Sequence, residues 1–106
     1  MELKPKWIIE DDSLIIGKCI YHKDLASNLK NIKGGGWFVY DGKLDGFVLY
    51  GSSFDFGKAK LDDIKDAVLK KNIGRFVEDD RYSDYKIYYS DTENLSEALI
   101  NPLALN

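Results

Sequence analysis

The sequence predicts an α+β fold, a mixed β-sheet flanked by helices in one domain covering residues 1–106. Three observations carry this expectation: a β-branched run over residues 14–21, a hairpin pattern over residues 37–50, and apolar residues at helical spacing after each of them. The chain has 106 residues, the size of one folding unit, and its 44% hydrophobic and 13% aromatic content can offset the conformational entropy lost on folding.

Trp7-Ile8-Ile9 reads as a leading strand. In the next strand Leu14, Ile16 and Ile20 share one face and Ile15, Cys19 and Tyr21 the other, the pattern of a strand buried on both sides. Leu25, Leu29 and Ile32 then recur at helical spacing, with Asp24 near the start, where a carboxylate complements the helix dipole, and with Gly34-Gly35-Gly36 as the stop. His22 is thereby placed at a strand-to-helix junction. Residues 37–40 form a strand that a turn around Asp41-Gly42 and Lys43 folds back onto residues 47–50.

The segment Gly51-Ser52-Ser53-Phe54-Asp55-Phe56-Gly57 is a loop feeding a second helix, in which Leu61, Ile64 and Val68 share a face while Lys60, Asp62, Asp63 and Lys70 are solvated. Beyond Asn72 and Gly74, the stretch with Glu78, Asp79, Asp80 and Arg81 reads as a solvated loop, and residues 85–89 alternate as a strand. A short helix over about residues 95–100 follows, with Asn94 and Glu97 placed as a capping box and Pro102 beyond.

Composition narrows the function. A net charge of −3 supplies no overall basic field for a phosphate backbone, so nucleic acid is not an expected partner. A lone cysteine, Cys19, cannot form an intramolecular disulfide, and the first residues lack the apolar stretch of a secretory signal, so the expected compartment is the cytoplasm. No run approaches the ~20 apolar residues that cross a bilayer. One histidine, one cysteine and scattered carboxylates give no zinc or EF-hand spacing, so neither a metal nor a cofactor is expected. The expected state is a monomer.

His22, the only histidine, is the leading candidate for chemistry. At a helix amino terminus it faces N–H groups without intrahelical partners, its neutral form is favoured, and a neutral imidazole can take a proton at pH 7. The alternative is a surface or capping histidine. In the Gly51–Gly57 segment, converging N–H groups and the Ser53 hydroxyl can hold an oxyanion; the alternative is a tight turn and a cap. The segment lacks a Walker A Gly-Lys-Ser or Gly-Lys-Thr and the closing glycine of a hydrolase nucleophile elbow.

Taken in order, Tyr21-His22-Lys23-Asp24-Leu25, Gly34-Gly35-Gly36, Tyr50-Gly51-Ser52-Ser53 with Phe56-Gly57, and Tyr82-Ser83-Asp84-Tyr85-Lys86-Ile87 resemble the motifs of the Janus/Ocnus family. The resemblance runs from about residue 14 to residue 91. It implies a phosphohistidine phosphatase-like fold and hydrolysis of phosphate from a nitrogen, as in phosphohistidine or phospholysine. It implies His22 as catalytic base, phosphate held by N–H groups of Tyr21, His22 and Lys23 and by Ser53 and Asp55, and Lys6 as the family's first-strand lysine. The implied partner is a phosphorylated protein or a small N-phosphorylated substrate. Two positions depart from the family pattern: Trp37 stands where the family has arginine, and Asp55 where it has a small residue. Both lower positive charge near a phosphate, with Lys23 and Lys58 as candidate compensating cations, and they motivate the alternative of a non-enzymatic phosphate- or phosphopeptide-binding module.

Overall fold

The strand that organises the structure is the ten-residue β3, Ile32–Asp41, because it changes partners halfway along. In the computed structural model, which describes residues 2–75 and 86–106, β1 (Lys4–Glu10) pairs antiparallel with its first half and β4 (Gly46–Tyr50) with its second. Trp37 is the switch residue, opposite Lys6 on one side and Tyr50 on the other. β2 (Ser13–Cys19) pairs antiparallel with β1, and β5 (Ile73–Arg75) adds parallel to β2. β6 (Lys86–Tyr89) lies parallel to β4, and β7 (Leu103–Ala104) closes that edge. The seven strands run in the order β5-β2-β1-β3-β4-β6-β7, a mixed sheet in an α+β domain.

Alternation along the strands divides the core. Trp7, Ile9, Leu14, Ile16, Phe38 and Leu49 meet Ile64, Ala67 and Val68 of helix α1 (Leu61–Leu69) on one face. Two acidic residues in the first turn of α1, Asp62 and Asp63, complement its dipole. Ile8, Cys19 and Leu25 form a smaller cluster on the opposite face. The indole N–H of Trp7 is satisfied by the Trp37 carbonyl at 2.7 Å, so the largest fully buried side chain ties β1 to β3 at the switch point. No helix of the described residues is long and apolar enough to cross a membrane.

The hairpin, the loop into α1, and the terminal helix α2 (Leu95–Ala98) with the Asn94 side chain accepting from Glu97 N–H agree with the sequence expectation. The helix expected from Leu25, Leu29 and Ile32 does not form. Two short 3₁₀ turns, His22–Leu25 and Leu29–Asn31, stand in its place. The Glu10 carboxylate is the physical reason, since it accepts from Ser27 N–H (2.6 Å), Ser27 O–H (2.7 Å) and Asn28 N–H (3.2 Å) and holds that stretch extended. Leu25 is buried while Leu29 is 58% exposed, so the two leucines share no face.

Gly34-Gly35-Gly36 is correspondingly not a helix stop but the interior of β3. A Cβ at Gly35 would stand 2.4 Å from the Trp7 carbonyl oxygen and 3.2 Å from His22 Cδ2. A Cβ at Gly36 would stand 2.3 Å from the Tyr50 carbonyl oxygen. The short edge strands β5 and β7 have no counterpart in the sequence expectation, and the acidic loop and the Tyr82-to-Tyr85 motif lie outside the described residues.

Gly35→Ala should therefore lower stability by about 1–3 kcal/mol, the usual range for overpacking a close-packed site. Gly42→Ala, where nothing stands within 4 Å of the added Cβ, is the matched control and should change little in urea denaturation.

Candidate active site

The site forms around the switch residue Trp37 on the face of the smaller core cluster. Lys6 and Trp37 are cross-strand partners, and strand alternation puts both on the side where Ile8 and Cys19 pack. After β2 the chain crosses over this face, and its first turn begins at His22. The imidazole rests over Gly35, where only a glycine leaves room for Cδ2. Its Nε2 lies 2.8 Å from the Gly36 carbonyl oxygen.

A carbonyl oxygen only accepts, so Nε2 carries the hydrogen and the neutral ring keeps its lone pair on Nδ1. Among the described residues no fully buried side-chain nitrogen or oxygen lacks a hydrogen bond, and the ring bonds there through Nε2, so Nδ1 is the accessible nitrogen. The ring is edge-on to the Trp37 indole, with centroids 5.9 Å apart and planes at 78°. His22 is 6% exposed.

Burial lowers the His22 pKa below its ordinary 6.5, because the imidazolium loses its water. The Gly36 hydrogen bond opposes this, the Lys6 charge adds to it, and the Asp55 charge opposes it. The sequence places His22 at a helix amino terminus, whose dipole would favour the neutral ring. That cause is corrected, since a four-residue 3₁₀ turn has little macrodipole and desolvation of the ring has the largest influence.

His22 lines a cavity of about 430 Å³ together with Lys6 and Asp55. Ile20, Tyr21, Trp37 and Phe54 complete its wall. Lys6 is 6% exposed, yet among the described residues no carboxylate pairs with it. Its ammonium donates to the Ile20 and Cys19 carbonyls and lies 5.1 Å from the centre of the Trp37 ring. Three donors and two carbonyl acceptors leave one N–H without a hydrogen-bond acceptor among the described residues. The Trp37 ring thus gathers cations, and Lys4 also approaches it, at 5.9 Å.

The loop after β4 takes the place beside Gly35 that β4 leaves open, with Gly35 N–H donating to Gly57 O at 3.1 Å. Ser53 and Gly57 exchange backbone hydrogen bonds at 3.1 and 2.8 Å, and Ser53 Oγ accepts from Phe56 N–H at 3.2 Å. These bonds close a five-residue loop. Ser53 is 3% exposed and is not part of the cavity wall. Asp55, on the wall, makes no hydrogen bond or ion pair among the described residues, and its charge acts on His22. The N–H groups of His22, Phe54 and Asp55 have no acceptor among the described residues.

Of the site residues expected from the sequence, the cavity brings together Lys6, Tyr21, His22 and Asp55, but the Tyr21 N–H expected to hold phosphate donates instead to the Asp24 carboxylate at 3.0 Å. Lys23 lies outside it, exposed, its ammonium 5.1 Å from the Tyr21 ring centre. Lys58 is ion-paired with Asp91 at a different cavity, so neither Lys23 nor Lys58 adds a cation to this wall. Sequence reasoning missed Phe54 and the acceptor role of the Gly36 carbonyl. The former carries a weak signal, an aromatic at the tip of a glycine-bounded loop; a backbone acceptor carries none. Among the described residues no three His, Cys, Asp or Glu side chains gather as a metal-ligand group.

Comparison with protein-family models, curated proteins and solved structures finds no match.

A histidine whose folded pKa is depressed binds its proton more readily in the unfolded chain, so stability is lost as pH falls from 6.5 through the lower folded value. His22→Asn should flatten that part of the stability profile between pH 7 and pH 5. An unchanged slope in urea titrations would show that another group dominates it.

Proposed function

We propose that the chain is a hydrolase that removes phosphate from nitrogen, as in phosphohistidine or phospholysine, on a Janus/Ocnus-type, phosphohistidine phosphatase-like fold. The observation that carries this reading is the buried His22, held through Nε2 by the Gly36 carbonyl and lining a cavity that it shares with a buried lysine that has no carboxylate partner among the described residues. The order of motifs in the sequence supports the same reading.

In this reaction a water molecule attacks phosphorus in line with the phosphorus–nitrogen bond while His22 Nδ1 takes the proton. The remaining Lys6 N–H and the free backbone N–H groups of His22, Phe54 and Asp55 stabilise the equatorial oxygens. The Ser53 hydroxyl acts indirectly, by fixing the loop that presents Phe54 and Asp55. The partner is a phosphorylated protein or a small N-phosphorylated molecule.

One observation favours a second reading, a phosphate- or phosphopeptide-binding module without turnover: the Asp55 carboxylate shares the cavity wall and offsets the Lys6 charge.

His22→Ala should reduce phosphate release from a phosphohistidine peptide by about 10²–10⁴-fold, the range for loss of a general base. In the wild type, kcat/KM should fall on acidification with a midpoint below 6.5, because only the neutral ring accepts the proton. Equal release by both proteins rules out His22 as the base. Perturbation of His22 amide signals by the peptide without turnover favours the binding module.

A further inference from the structure

We propose that Asp55 reads the leaving group and selects N-phosphorylated imidazole over N-phosphorylated amine; the inference rests on the hydrolase reading above. A carboxylate on the wall of the cavity proposed to hold phosphate is the anomaly to be explained. Asp55 lines the same cavity as His22 and Lys6, makes no hydrogen bond or ion pair among the described residues, and sits on a loop closed by the Ser53–Gly57 backbone bonds. It is an exposed acceptor without a protein partner among the described residues, on the wall of the cavity that the hydrolase reading assigns to the substrate. Phosphate has no hydrogen for it at neutral pH beyond a single hydroxyl, and repels it. A cationic N–H donor beside the phosphate is the complementary group.

A phosphoimidazole supplies that donor. One ring nitrogen carries phosphorus, and the other, protonated, donates to Asp55. Water oxygen forms the new bond to phosphorus and its proton goes to His22 Nδ1. The phosphorus–nitrogen bond breaks with its electron pair moving to the ring nitrogen. If the remote nitrogen holds its proton, the group that leaves is neutral imidazole; without it, the group is an imidazolate, a far poorer leaving group. A carboxylate at the remote nitrogen keeps that proton in place. In a phospholysine the amine must be protonated on the nitrogen that is itself bonded to phosphorus, so no remote N–H exists for Asp55 to hold. Phe54, fully exposed next to Asp55 on the cavity wall, offers an aromatic face that suits a planar ring better than an alkyl chain.

The test compares kcat/KM on one peptide carrying phosphohistidine and on one carrying phospholysine, for the wild type and Asp55→Asn. Asparagine keeps the shape and removes the charge. The expected result is a fall of tenfold or more in the phosphohistidine-to-phospholysine ratio. A ratio unchanged by Asp55→Asn, whether both rates hold or both fall, overturns the inference and leaves the hydrolase standing. A wild type that hydrolyses neither peptide overturns the hydrolase reading, and the inference with it.

Discussion

The hydrogen bond from His22 Nε2–H to the Gly36 carbonyl imposes conditions that reach through the structure. The ring must lie against the backbone of β3, so no side chain can stand beneath it, and a Cβ at Gly35 would sit 3.2 Å from Cδ2 and 2.4 Å from the Trp7 carbonyl. Gly36 must turn its carbonyl out of the strand toward His22 while its Cα lies close to the Tyr50 carbonyl. The glycines thus serve β3 rather than a helix end: they remove Cβ atoms where two pieces of backbone and a ring converge. Burial of that ring then sets its protonation, since desolvation outweighs the hydrogen bond that would favour the charged form.

The cavity is an electrostatic compromise. Lys6 is buried with carbonyls and an indole as its neighbours, an arrangement that disperses its charge without neutralising it. Asp55 carries the opposite charge on the same wall, and the two act on His22 in opposite directions. A purely cationic pocket would hold phosphate more tightly. In the proposed hydrolase, a carboxylate beside the lysine would trade affinity for the anion itself against discrimination by what is attached to the phosphate.

Much of this was legible in the sequence where local rules decide. The hairpin announced itself through Asp41-Gly42 between apolar runs, α1 through Ile64 and Val68, and the final helix through Asn94 and Glu97. His22 stood out because it is alone. What failed was the segment after His22, where Leu25, Leu29 and Ile32 have helical spacing but three acceptor contacts from Glu10, far away in sequence, hold the chain extended. Tertiary hydrogen bonds overrode a periodic pattern of only three residues. The sequence expects Ser53 to hold the ligand through its hydroxyl; in the structure that oxygen accepts from the N–H of Phe56 and lies off the cavity wall, while Phe54, which the sequence does not single out, stands on the wall beside Asp55. Such exchanges between neighbours in a loop depend on turn geometry, which composition does not encode.

The tautomer of His22 tests the account most directly. Two-bond ¹H–¹⁵N correlation spectra of the imidazole at pH 7 should show a neutral ring with the hydrogen on Nε2 and a bare, basic Nδ1, because Gly36 offers only an acceptor and burial disfavours the cation. A ring protonated on Nδ1 alone, or an imidazolium at that pH, would contradict it.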